Sequence, residues 1–330
     1  MLIKFSTVSF IIAVMLGWAL PTNLYADNRE GVMVDRQLVR QRLREHLHYL
    51  TVAIGERSVG RPGNLKKTAA YISSFYEELG LAVDTQAYSY AQLPVANVIA
   101  EISFGKNPQS RYLLGAHYDS VSGTVGADDN ASATAVQLEV ARLLAQLPDK
   151  NTLDLAVRFV SFALEEPPVY GTRHMGSRVY ARTARAQKEK IDGMICLEMV
   201  GYACHEPGCQ NYPFPLMFMD YPKTGNFIGI VSNFKSRGFA KDLVTQFQNN
   251  EDLPVVKLTV PFNGYIMPAV RLSDHASFWD KGYKAVMVTD SAFFRNPYYH
   301  TAGDTMEKLD LDFMAEVVES LLIFFLSHEK

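Results

Sequence analysis

Charge of one sign, cysteine, repeats and linkers are all scarce in this sequence. Among 330 residues, 32 Lys and Arg stand against 35 Asp and Glu, and the formal charge is only -3. The basic residues are scattered, so nothing marks a nucleic-acid surface or an anionic membrane as partner. No Gly/Ser/Pro linker interrupts residues 35–330 and no internal repeat or low-complexity stretch occurs, which makes one domain over residues 27–330 the simpler reading. A hydrophobic content of 48% excludes a disordered chain. Only three cysteines are present. In an oxidising compartment Cys204 would pair with Cys209 across the turn-forming Glu206-Pro207-Gly208, whereas Cys196, inside Met194-Ile195-Cys196-Leu197, reads as a small buried hydrophobe.

The one long apolar run is at the start. Lys4 precedes an apolar stretch from Phe5 to about Leu20, followed by Pro21 and a segment ending Leu24-Tyr25-Ala26. A basic start, an apolar run and a small residue before polar sequence are the parts of a secretory signal peptide, here residues 1–26. The run is short for a membrane anchor of about 20 residues, and no cysteine follows it for lipid attachment. The expectation is an exported chain, periplasmic or extracellular, without stable membrane insertion once the leader is removed; its oligomeric state is not legible.

Apolar positions recur at helical spacing over residues 35–54, 66–79, 132–147, 170–184, 239–249, 273–281 and 311–327. Between them, residues 97–103, 111–116, 154–163, 194–200 and 284–289 are short apolar or β-branched runs bounded by Gly, Asp or Pro, the signature of buried strands. Alternation of the two predicts an α/β fold, a three-layer αβα sandwich around a mostly parallel mixed sheet. Residues 202–270, rich in Pro, Gly, Asn and aromatics, predict long loops around a site.

In such sheets ligands bind beyond the carboxyl ends of the strands. Polar groups gather there: His117-Tyr118-Asp119-Ser120, Gly126-Ala127-Asp128-Asp129-Asn130, Glu165-Glu166, Glu198 and Tyr299-His300. Singly, each has an ordinary explanation as cap, turn or solvated face. Together, two imidazoles and several carboxylates at strand ends are the nitrogen and oxygen donors that zinc prefers.

These motifs, with Phe162-Ala163-Leu164-Glu165-Glu166, Leu197-Glu198-Met199-Val200-Gly201, Ser273-Asp274-His275 and Asp304-Thr305, resemble in order and spacing the secreted co-catalytic zinc aminopeptidases, over about residues 60–325. The resemblance implies a zinc-dependent peptide hydrolase with two Zn2+ per chain, acting on peptides with a free N-terminus. It implies His117 and Glu166 as ligands of separate ions, Asp128 as the bridge, and Glu198 and His300 completing the set. It further implies Glu165 as general base and Asp119 as the carboxylate behind His117. Tyr299 is a candidate donor to the developing oxyanion, or one more packed aromatic of its loop. Many members carry Asp where this chain has Glu198. Ser273-Asp274-His275 reads as a helix cap and Asp304 as a turn or cap residue.

Three other readings compete. A carboxypeptidase or dipeptidase of the same superfamily needs cations for the substrate carboxylate, and Arg271 and Arg295 are available. A single-zinc glutaminyl-peptide cyclotransferase would have no need of His117 as ligand. A non-catalytic binding protein would be expected to have lost a base or a ligand, and none is missing.

Overall fold

The structure is a computed structural model that describes residues 34–105, 107–147, 153–213 and 221–329; the expected leader lies outside them. Helix α1 (Arg36–His48) starts where the Asp35 side chain accepts the Leu38 N–H, and α2 (Pro62–Glu78) starts on Pro62, whose fixed φ suits a first turn. The hairpin β1 (Val83–Tyr90) and β2 (Leu93–Ser103) follows, then β3 (Ser110–His117), α3 (Ala133–Ala145), β4 (Leu155–Phe162), α4 (Gly176–Ala186) and β5 (Gly193–Glu198). The chain continues through β6 (Ile228–Asn233), α5 (Arg237–Phe247), β7 (Val255–Val260), α6 (His275–Asp280), β8 (Ala285–Thr289) and α7 (Leu311–Leu326).

The eight strands form one sheet in the order β1-β2-β4-β3-β5-β8-β6-β7. Strands β4, β3, β5 and β8 run parallel at its centre, with antiparallel neighbours at β2 and β6. Because side chains alternate across a strand, each central strand feeds two cores. Leu114, Val157, Phe159, Ile195, Leu197, Val286 and Val288 pack under α1, α3, α5 and α7; Leu113, Val160, Phe162, Met194, Cys196 and Met287 pack under α4 and α6. Both faces are therefore covered, and the polar groups that cannot be buried in either core collect at the strand ends. Among the described residues no helix is long and apolar enough to cross a membrane.

The expectation of long loops over residues 202–270 is corrected: besides the helix expected over residues 239–249, here α5, the strands β6 and β7 lie inside that segment and extend the sheet. Ile228–Asn233 is buried at every position, but Gly229, Ser232 and Asn233 interrupt the apolar run by which the other buried strands are read. Strand β1 was also missed, an edge strand whose exposed residues, Asp84, Thr85 and Ala87, give weak apolar signal. Helix α4 begins at Gly176 and not near residue 170, because a Cβ there would meet Ala163 O at 2.3 Å and Asn97 Oδ1 at 2.4 Å; the helix can start against β4 only on a glycine.

Candidate metal centre

His117 is the last residue of β3 and is fully buried. Its Nε2 lies 3.3 Å from Asp129 Oδ1 and 3.4 Å from Glu198 Oε2. On the opposite side of Asp129, His300 Nε2 lies 3.1 Å from Oδ2 and 3.1 Å from Glu166 Oε2. One carboxylate thus stands between two imidazoles, each with a glutamate of its own. Glu165 Oε2 is 3.9 Å from His117 Nε2.

Asp128, the expected bridge, is turned away. Its Oδ1 accepts the Gly201 N–H at 2.9 Å and its Oδ2 accepts Asn296 Nδ2 at 2.7 Å, and the carboxylate that faces both imidazoles is that of its neighbour Asp129. Both are buried acids in one turn, and only the local backbone, with Asp129 at φ -104° and ψ 89°, decides which carboxylate faces the imidazoles.

The ligand-bearing segments are held by polar side chains. Asp119 accepts the N–H groups of Glu165 and Glu166, both at 3.0 Å, while sitting 3.4 Å from His117 Nδ1. It braces the glutamate pair as well as backing the ring. Asp304 accepts the N–H groups of Asp128 and Asp129, at 2.8 and 3.1 Å. Asn130 straddles Glu198, donating to Leu197 O at 3.1 Å and accepting the Met199 N–H at 3.0 Å. Ser273 donates to Glu198 Oε2 at 2.5 Å, a role different from the expected cap. The hydroxyl thereby holds the Glu198 carboxylate in place. The backbone here is also costly: Leu164, Met199 and His300 are non-glycine residues at φ of +59°, +49° and +55°, each at or beside a site residue. Gly126 (φ +53°) opens the Asp129 turn, where a Cβ would lie 2.1 Å from Asp129 O.

Electrostatically the site is short of positive charge. Burial pushes the Glu165 carboxyl well above its usual range and Glu166 to about 8, the latter helped by Asp129. Burial also lifts Asp274, near Glu198, to about 7. His300 is raised to about 10: burial lowers it, but the adjacent carboxylates of Asp129 and Glu166 prevail. His117 is likewise raised despite burial, by Glu198, Asp119 and Asp129. In the metal-free site the protonated imidazoles are the cations that offset these carboxylates, and a bound metal ion would take over that role. His117 Nε2, Asp129 Oδ1 and His300 Nε2 are buried without hydrogen-bond partners. His117, Asp129 and Glu166 form a group able to hold a metal ion, and the nitrogen and oxygen donors fit zinc.

Tyr299 stacks on His300 with centroids 3.8 Å apart, and burial raises its hydroxyl pKa. Tyr299 and Glu198 both border a cavity of about 100 Å3 whose wall is apolar, including Phe227, Val231, Leu258 and Met287. Cys204 and Cys209 are disulfide-bonded and Cys196 is free and buried. Arg271 donates to Asn263 O and Asp280, and Arg295 to Gln210, Tyr202 O and Phe227 O. Both guanidinium groups are spent inside the protein.

An Escherichia coli protein, YfbL, itself uncharacterized, is 36% identical over 290 residues, 86% of each chain. Two solved structures share the fold. A zinc aminopeptidase from Bacillus subtilis has a TM-score of 0.67 and 16% identity, covering 88% of this chain and 95% of its own. The glutaminyl cyclase of Porphyromonas gingivalis has a TM-score of 0.62 and 18% identity, covering 88% and 97%. The sequence profile of peptidase family M28 matches residues 97–324, which span every group around Asp129 described above. With that match, the chain belongs to peptidase family M28.

Proposed function

We propose that this protein is an exported two-zinc aminopeptidase that hydrolyses the first peptide bond of peptides with a free N-terminus. The observation that carries the reading is the doubled set around Asp129: His117 with Glu198 on one side, His300 with Glu166 on the other. In this assignment each set would hold one zinc, with Asp129 as a ligand common to both. Zinc bound there supplies Lewis acidity, lowering the pKa of water and polarising the scissile carbonyl. Glu165 is beside the set but not claimed by it, and a carboxyl raised by burial is suited to take the proton of the attacking water and pass it to the leaving amine. Asp119 holds Glu165 and Glu166 in fixed relation, so the base stays aimed at the water. Tyr299 borders the cavity beside His300, and its hydroxyl would be the donor to the carbonyl oxygen. The apolar cavity suits an uncharged, apolar first side chain.

The internal use of Arg271 and Arg295 disfavours a carboxypeptidase, since neither fork is open to a substrate carboxylate. The pairing of His117 with both Asp129 and Glu198 disfavours a single-zinc cyclotransferase. The test combines elemental analysis with a panel of aminoacyl amides, amino-blocked controls and glutaminyl peptides. About two zinc ions per chain, loss of activity on chelation and release of free amino acid from unblocked substrates are expected. One tightly held ion with cyclised glutaminyl product would replace the reading by the cyclotransferase.

A further inference from the structure

Arg57 lies between α1 and α2, upstream of the residues that match the family profile, and none of its surface is exposed. Its hydrogen bonds go to main-chain carbonyls: Nε to Tyr118 O at 2.8 Å, Nη1 to Val125 O at 2.6 Å, Leu50 O at 3.2 Å and Gly55 O at 3.3 Å, and Nη2 to Gly126 O at 2.9 Å. Its own N–H is donated to Ser120 Oγ at 3.0 Å. Tyr118 follows His117 directly, and Val125 and Gly126 lead into the turn that carries Asp129. The rigid guanidinium fork therefore ties together the two backbone segments from which these side chains project. Burial lowers its pKa to about 10, with Asp119, Asp304, Asp129 and Glu166 opposing the fall, so the group is cationic at neutral pH. A buried charge is a poor stabiliser when an apolar side chain of similar volume fills the same space. Retaining one here is better explained by placement of the segments it joins.

We propose that Arg57 is a positioning residue for the metal pair: its guanidinium sets the spacing between the backbone after His117 and the backbone before Asp129, so that both side chains face a common ion. This rests on the two-zinc reading above. A simple charge argument makes the opposite forecast, because a buried cation near the site repels zinc and its removal would tighten binding. The two are separated by measuring zinc affinity, through competition with a chromogenic chelator, in the full chain and in Arg57→Met and Arg57→Lys. Positioning predicts zinc binding roughly 10–100-fold weaker in Arg57→Met, as for other groups that orient ligands from behind. It predicts partial rescue in Arg57→Lys, which keeps the charge and some donors but not the fork. It also predicts recovery of kcat in excess zinc with KM unchanged, which a merely misfolded fraction would not give. Wild-type or tighter affinity in Arg57→Met overturns the proposal. Should that variant not fold, wild-type affinity in a folded Arg57→Lys overturns it equally. Failure of the unaltered protein to bind two ions would instead refute the reading on which it rests.

Discussion

Replacing Glu165 by Gln is expected to leave zinc content intact while reducing turnover by at least ~10²–10⁴-fold, the usual contribution of a general base. Glu166→Ala is expected to shed metal, because its Oε2 faces His300 at 3.1 Å. Zinc content and turnover measured together distinguish the two, and metal loss in Glu165→Gln would reverse the assignment. A second pair isolates the bridge. Asp129→Asn is expected to lose metal, whereas Asp128→Asn, whose parent carboxylate accepts from Gly201 and Asn296, is expected to keep it at a modest cost in thermal stability. Equal zinc content in the two variants would contradict the geometry. The same two aspartates show how far reading by residue reaches. That an acid of this turn belongs at the site was legible from its place after β3; which of two adjacent acids was not, since it depends on a local backbone rotation that leaves no trace in composition. Arg57 was invisible for another reason. A single arginine in Glu56-Arg57-Ser58 looks like surface, and only the tertiary path of residues 118–126 buries it.

At the scale of elements, strands β2 to β5 and β8 were legible because short apolar runs bounded by Gly, Asp or Pro mark buried strands. Strands β6 and β7 were hidden among the Pro, Gly and aromatic residues of the loops that flank them, which read as the whole segment. Helix α1 was legible by period, and Leu43 and Leu47 bury its apolar stripe in the main core shared with α3 and α7. Leu47→Ala is expected to cost about 2–5 kcal/mol of stability, as for other fully buried leucines, without changing zinc affinity. Denaturant unfolding beside a zinc titration checks both halves; weakened zinc binding would mean that α1 reaches the site directly. Gly126→Ala is expected to do the reverse, lowering metal affinity sharply because the added Cβ would overlap Asp129 O and the φ of +53° disfavours any side chain.

For the whole molecule, pH sets the stability of the zinc-free protein through the crowded acids. Glu166 is raised to about 8, and Asp274 and Asp304 to about 7, chiefly by burial. The folded state therefore holds protons that the unfolded chain releases near its ordinary carboxylate pKa of about 4. Where the folded state binds more protons, stability falls as pH rises. The raised His300 acts in the same direction, from about 6.5 up to about 10. Zinc-free protein is expected to melt at a lower temperature at pH 8 than at pH 5.5, with the difference much reduced or reversed when zinc is bound. Melting curves with and without chelator test this, and a zinc-free protein more stable at pH 8 would contradict it.

The cavity and the metal-facing groups draw on different parts of the sheet. His117, Glu165, Glu166 and Glu198 project from the ends of β3, β4 and β5, whereas Val231, Leu258 and Met287 of the cavity wall belong to β6, β7 and β8. Glu198, which faces His117, and Tyr299, which stacks on His300, border the cavity as well. On the proposed reading, in which the cavity takes the first side chain, a lineage can exchange wall residues and drift towards new diets while its hydrolytic half stays unchanged. For the same reason, a designer seeking altered selectivity has three strands to rewrite before reaching a group that faces the metal.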